Sequence, residues 1–177
     1  MSSIQKIIPH YTYDDWVHWE GQWELHEGHP IAMSPTPVPK HQLVAAEIKT
    51  ELNIARRKAN CKNCRVYDGM DYKISEDTIL VPDALIVCGE ISKKFLDFAP
   101  ALVVEILSPS TALRDRNTKY QLYERQGVKY YLIIDIDKKM VEAYELRGKE
   151  YSLIHPPYEF TLEEGCIIKP SLTTIFE

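Results

Sequence analysis

The chain has 177 residues, 45% of them hydrophobic and 27% charged, which suits one soluble folded domain and excludes a disordered polymer. The net charge of −5 argues against a body coated with nonspecific affinity for nucleic acid, while leaving room for a local basic surface. No apolar run approaches the length of a membrane span. Residues 1–13 lack a basic segment followed by an apolar core. No signal peptide and no membrane contact are therefore expected, with the cytoplasm as the default location.

In chain order, Tyr13–Trp19 reads as a short helix capped by Thr12. Trp23 to Met33 reads as a hairpin turning near Gly28. Ser34 to Pro39 is a proline-rich connector, unfit for helix or central strand. His41 to Lys58 carries a helical stripe of Val44, Ile48, Leu52 and Ala55. Arg56, Arg57 and Lys58 suit its C-terminal dipole, and a phosphate-facing role is the sharper alternative. Strands are predicted over Arg65–Ile74, Ile79–Val87 and Ala101–Leu107. Ser108-Pro109-Ser110-Thr111 opens a helix that runs to about Gln126 and stops at Gly127. A strand over Lys129–Ile136 follows, then a closing hairpin of Met140–Leu146 and Glu150–Ile154, then an irregular tail. The crossover from Ala101–Leu107 to Lys129–Ile136 predicts a parallel pair. The expectation is a mixed α/β sheet flanked by helices, in a single domain over 1–177. Residues 1–39 form an N-terminal helix and hairpin extension with the connector, 40–155 the core and 156–177 the tail.

Of four cysteines, Cys61 and Cys64 have CxxC spacing. A zinc ribbon needs a second CxxC or a CxxH, and a redox pair usually opens a helix after a strand. This pair follows a predicted helix, so it reads as incidental, with the thiols reduced.

Asp83 and Glu105 are lone carboxylates in strands apolar enough to be buried on both faces. An unpaired buried charge costs several kcal/mol or shifts its pKa until it neutralises. If the two strands pair antiparallel through the loop from Cys88 to Pro100, Val87 faces Ala101 and Asp83 faces Glu105. Opposed Cβ atoms lie roughly 4.5–5.5 Å apart, close enough for a divalent cation to turn repulsion into binding. Mg²⁺ is held by one or two carboxylates plus substrate phosphates. The plainer alternative is that backbone amides, a lysine or water satisfies each acid. Pro82 removes a ladder donor and points to an edge or a bulge beside the site.

These residues resemble the PD-(D/E)XK nuclease superfamily and, more closely, the Uma-type endonuclease family. The matching elements are Trp23-Glu24-Leu25-His26-Glu27-Gly28, Met33-Ser34-Pro35, His41-Gln42, Val81-Pro82-Asp83, Val104 to Thr111, Asp115 with Lys119 and Tyr123, and Tyr130 to Asp135. The resemblance implies a restriction-endonuclease-like fold and metal ligation by Asp83 and Glu105. One departure stands out: Leu107 occupies the place of the superfamily lysine, two residues after the second acid. The Uma-type pattern implies that Lys119 on the following helix takes that role. A solvated lysine beside Arg114, Arg116 and Arg125 is the alternative. Glu24, His41, Asp115 and Asp135 follow as further site residues. His26 and His29 form no ligand pair with a supporting acid.

The implied activity is Mg²⁺- or Mn²⁺-dependent hydrolysis of phosphodiesters in nucleic acid, with DNA expected as the substrate. Asp83, Glu105 and Lys119 would carry the chemistry, and Arg114, Arg116 and Arg125 would contact flanking phosphates. A catalytically silent, dimeric interaction or regulatory module is the rival, favoured by Leu107 and the acidic net charge. A homodimer is expected in either case, since cutting both strands of a duplex takes two sites and 11 tyrosines are available for an interface.

Overall fold

The computed structural model describes residues 8–33 and 38–177. Residues 34–37 of the proline-rich connector lie outside that description. Helix α1 (Tyr13–Trp16) starts where Thr12 predicts, and Asp15 Oδ2 accepts from both Thr12 N and Thr12 Oγ1. It is shorter than predicted. Strands β1 (Trp23–His26) and β2 (His29–Ala32) form the expected hairpin.

Helix α2 spans Pro39–Lys58. Pro39, assigned from sequence to a non-helical connector, is its first residue, where the missing N–H costs nothing. Val44, Ile48, Leu52 and Ala55 are its buried face, as their spacing predicts.

The region predicted as one strand over Arg65–Ile74 is two, β3 (Cys64–Asp68) and β4 (Tyr72–Ser75), in different sheets. The region from Ile79 to Val87 also splits, into β5 (Thr78–Leu80) and β6 (Ala84–Cys88). Pro82-Asp83 is the break. Proline cannot donate to a ladder, so the chain leaves one sheet there and enters the other.

Strand β7 (Leu102–Ile106) pairs antiparallel with β6 in the predicted register, with Ala84 opposite Val104 and Ile86 opposite Leu102. The crossover from β7 to β8 (Tyr130–Asp135) gives the predicted parallel pair. The crossover helix is α3 (Ala112–Arg114), a π turn (Asp115–Lys119) and α4 (Tyr120–Arg125). Strands β9 (Met140–Arg147) and β10 (Glu150–Ile154) are the expected hairpin. The tail is not irregular throughout. It holds a second hairpin, β11 (Phe160–Glu163) and β12 (Cys166–Ile168), whose short strands give little periodicity to read.

A six-stranded mixed sheet, in the order β10-β9-β8-β7-β6-β3, thus stands beside a four-stranded antiparallel sheet, β2-β1-β5-β4. The central strands are buried on both faces, which explains their unbroken apolar runs. Ile86, Val104, Leu132 and Ile134 pack under α2 and the β11–β12 hairpin. Leu85, Val103, Tyr131 and Ile133 pack under α4, together with Tyr72 and Leu80 from the smaller sheet. Among the described residues no helix is long and apolar enough to cross a membrane.

Cys61 is joined to Cys166 and Cys64 to Cys88. The expectation of incidental, reduced thiols is therefore corrected. Residues 61 and 64 are near neighbours in sequence, but their partners come from β6 and β12, which only the tertiary fold brings to the end of α2.

Leu132 is fully buried at the centre of the larger sheet. Truncation there leaves a cavity, so Leu132→Ala is expected to cost about 2–5 kcal/mol in chemical denaturation. A loss below about 1 kcal/mol would contradict the packing described.

Candidate active site

The site forms where β6 begins and β7 ends. Asp83 immediately precedes β6, and the ladder register carried one step beyond Ala84 and Val104 sets it opposite Glu105. Asp83 Oδ2 accepts the Ile106 amide at 2.7 Å, so the side chain takes the acceptor role of a ladder carbonyl at the point where the β6 pairing ends. Both acids line one cavity of about 290 Å³, together with Glu24, His41, Asp115 and Lys119. Arg114 and the Ser108–Thr111 turn form part of its wall.

Lys119 is the hub of the cluster. Its ammonium donates to Glu105 Oε1 at 2.9 Å, lies 2.8 Å from Glu24 Oε1 and is 3.7 Å from Asp115 Oδ1. The π turn makes this possible. An i→i+5 turn advances each residue by less than an α-helix does, which rotates the buried stripe. Leu113 is 78% exposed, whereas Asp115 and Lys119 are buried. The solvated-lysine alternative is thereby excluded.

Two further groups support this cluster that the sequence named within the family pattern without giving them a place in the site. Tyr123 OH donates to Glu105 Oε1 at 2.7 Å; its spacing of four from Lys119 on the crossover helix was the available signal. Buried His26 lies with Nε2 2.9 Å from Glu24 Oε2. Its spacing of two from Glu24, on the same face of a strand, was a weak one. Glu24 Oε1 also accepts the Val81 amide at 2.8 Å.

These contacts split the carboxyls. Burial disfavours a charged Glu24, but Lys119 and His26 outweigh it and bring its pKa down to about 2. Glu105 goes the other way: burial raises it well above the usual carboxylate range, and Asp115, Asp83 and Glu24 add to the rise against the pull of Lys119. Burial likewise raises Asp115. Lys119 is held above its ordinary value because Glu105, Glu24 and Asp115 together overcome the burial of its charge. Asp83 raises the pKa of His41, whose Nε2 is 3.6 Å from Asp83 Oδ1.

Four carboxyl groups therefore face a cavity to which Lys119, Arg114 and His41 bring positive charge. Among the described residues, neither buried oxygen of Asp115 nor buried Nδ1 of His41 has a hydrogen bond of normal geometry, although the Thr111 side chain and Lys119 approach Asp115 and the Ile106 backbone approaches His41. Oxygen donors left open in a carboxylate-rich cavity fit a hard divalent cation. Asp83 and Glu105, opposed across the strand pair, are the residues that could hold one, although the oxygens of Asp83, Glu105 and Asp115 do not all stand within 4.8 Å of one another.

The remaining sequence candidates are not gathered here. Arg116 makes a two-pronged contact with Glu142, at 2.6 and 2.7 Å, and lies 3.9 Å from Asp135. Asp135 accepts from Lys138 N at 3.0 Å, as an acid ending a strand commonly does. Arg125 is exposed beside Glu27. None of the three lines the cavity. The two arginines were placed with the site because helix neighbours share charge but not direction, and Asp135 because it ends the strand of the family pattern.

Three comparisons bear on this arrangement. A solved structure from Anabaena variabilis, described as a putative nuclease belonging to DUF820, superposes with a TM-score of 0.73 at 20% identity, covering 93% of this chain and 97% of that one. At that identity the likeness shows the fold. An uncharacterized protein of Synechocystis sp. is 26% identical over 154 residues, covering 77% of this chain and 75% of its own length. The model of a family described as "Putative restriction endonuclease" matches residues 11–172, nearly the whole chain, and the chain thus belongs to that family, Uma2.

Proposed function

We propose that the protein is a divalent-metal-dependent endonuclease that hydrolyses phosphodiester bonds in nucleic acid, with DNA as the substrate. The observation that carries this reading is the convergence of Asp83, Glu105 and Asp115 on one cavity, with Lys119 hydrogen-bonded to Glu105. Asp83 and Glu105 would hold Mg²⁺ or Mn²⁺, with the open oxygens of Asp115 as a further donor. Such an ion supplies positive charge to a phosphoryl oxygen and lowers the pKa of a bound water.

The chain's own groups do the rest. Lys119 stands where it can stabilise charge that develops on the scissile phosphate. Glu24 keeps Lys119 charged and aimed, and His26 keeps Glu24 in place. Tyr123 fixes the second carboxylate. Arg114, on the cavity wall, is placed to contact a flanking phosphate. A cation held there would favour the ionised form of Glu105, which burial and its acid neighbours otherwise disfavour. The rival reading, a silent interaction module, drew on Leu107 in place of the superfamily lysine. A lysine that reaches the same acid from the helix weakens that ground. Pairing of two copies is part of the reading, since one chain offers one such cavity for the two strands of a duplex.

In a supercoiled-plasmid assay with Mg²⁺ or Mn²⁺, Asp83→Ala is expected to lower nicking by about 100-fold or more. Equal nicking by wild type and variant, or by neither across DNA and RNA substrates, would count decisively against the proposal. Calorimetric titration of the wild type with Mn²⁺ is expected to show one site, weakened about 10–100-fold in Glu105→Gln. Lys119→Met is expected to lose about 3–5 kcal/mol of stability in chelator, because the buried Glu24 carboxylate loses its counterion and Glu105 loses a hydrogen-bond donor. An unchanged denaturation midpoint would refute the buried clamp.

A further inference from the structure

All four cysteines come together away from the cavity lining, brought there by different elements. Cys61 follows the C-terminus of α2, Cys64 opens β3, Cys88 closes β6 directly opposite Cys64, and Cys166 opens β12. Cys61, Cys64 and Cys166 are buried and Cys88 is half-buried. The sulfurs are joined in pairs, and Sγ of Cys64 lies 3.8 Å from Sγ of Cys166 across the two pairs. The four sulfurs form a connected run of soft donors, the Cys61–Cys166 pair beside the Cys64–Cys88 pair, which reduction would free to close on one ion. A C-x₂-C pair supplemented by two single cysteines is the composition of a structural Cys₄ zinc site, with zinc–sulfur bonds of about 2.3 Å. Tetrahedral sulfurs at that bond length stand about 3.8 Å apart, which is the separation seen between Cys64 and Cys166.

The surroundings suit a negatively charged thiolate centre. Arg56 donates to the Cys61 carbonyl at 3.2 Å and its Nε is buried without an acceptor among the described residues. Arg65 donates to the Cys64 carbonyl at 2.9 Å and to the Lys62 carbonyl. Two guanidinium groups thus hold the backbone of the CxxC segment. Glu163 approaches Cys64 Sγ to 3.5 Å, is oriented by Asn63 and lies close enough to Cys64 and Cys88 to share an ion with them; the proposed thiolate set displaces it.

We propose that in the thiol state Cys61, Cys64, Cys88 and Cys166 bind one Zn²⁺ as a structural tetrathiolate, and that the paired disulfides are its oxidised, metal-free form. Interconversion balances. Four thiolates lose four electrons, form two S–S bonds and release the ion. Two equivalents of a peroxide accept those electrons with four protons and become water. The site would pin the end of α2 to β3, β6 and the β11–β12 hairpin, the places where the cysteines sit.

The test uses the full chain purified in phosphine reductant. One zinc per chain is expected by elemental analysis after desalting. Replacement with Co²⁺ should give thiolate-to-cobalt charge-transfer absorption and the visible bands of a tetrahedral ion. Cobalt on carboxylates elsewhere in the molecule gives no thiolate band, so the signal is specific to sulfur. Cys88→Ser and Cys166→Ser should each shift and weaken it, and peroxide should abolish it while releasing the metal. A reduced chain that retains no zinc and shows no thiolate–cobalt band would overturn the proposal. So would two disulfides that persist in excess reductant, or a cobalt spectrum indifferent to both serine variants.

Discussion

A single buried ammonium organises this protein. Lys119 comes from the π turn, Glu105 from the larger sheet and Glu24 from the smaller one, so three separate pieces of chain meet on one charge. Taking charges out of water is costly unless each finds a close partner of opposite sign with good geometry. Lys119 has such partners on two sides, and its third acid neighbour, Asp115, stands farther away at 3.7 Å. The surplus of carboxylate over ammonium is therefore not relieved within the protein. It is concentrated on the side facing the cavity, where Asp83 and Asp115 stand.

The same clamp explains why two carboxyls on one lysine behave oppositely. Glu24 faces Lys119, the Val81 amide and His26, all of which favour its ionised form. Glu105 has Lys119 and Tyr123, but it also faces three other acids and is completely buried. Environments that push paired acids apart are how a site assigns them different duties. Glu24 is set up to remain a permanent counterion. Glu105 is set up to change its protonation when the charge in the cavity changes.

Much of this was legible in the sequence, and the reason is local. Alternation and loop length alone put Asp83 opposite Glu105, because both strands are short, apolar and joined by one loop. The stripe of α2 and the parallel crossover followed from periodicity and from the handedness rule. What escaped was set by distant or irregular structure. The breaks at residues 69–71 and at Pro82-Asp83 send consecutive strands into different sheets, which hydrophobicity does not record. The π turn, which buries Asp115 and Lys119, is not recorded in the hydrophobic pattern of the crossover helix. Arg116 looked available because Glu142, which engages it, lies 26 residues away on β9.

Helix α2 connects the two clusters of this molecule. Its twenty residues extend about 30 Å at 1.5 Å per residue. His41 in its first turn faces Asp83, and Cys61 lies three residues beyond its last turn. Between them, Val44, Ile48, Leu52 and Ala55 pack on the sheet face that also carries Val104 and Leu132. Apolar packing fixes the distance of a helix from a sheet well, but it resists sliding along the helix axis poorly, because it is non-directional. Covalent or coordinate bonds at one end resist sliding directly. Cross-links at Cys61 and Cys64 therefore bear on where His41 stands, although they lie at the far end of the helix. The geometry of the cavity is in this sense held from two directions: by the lysine clamp beneath it, and by sulfur at the other end of α2.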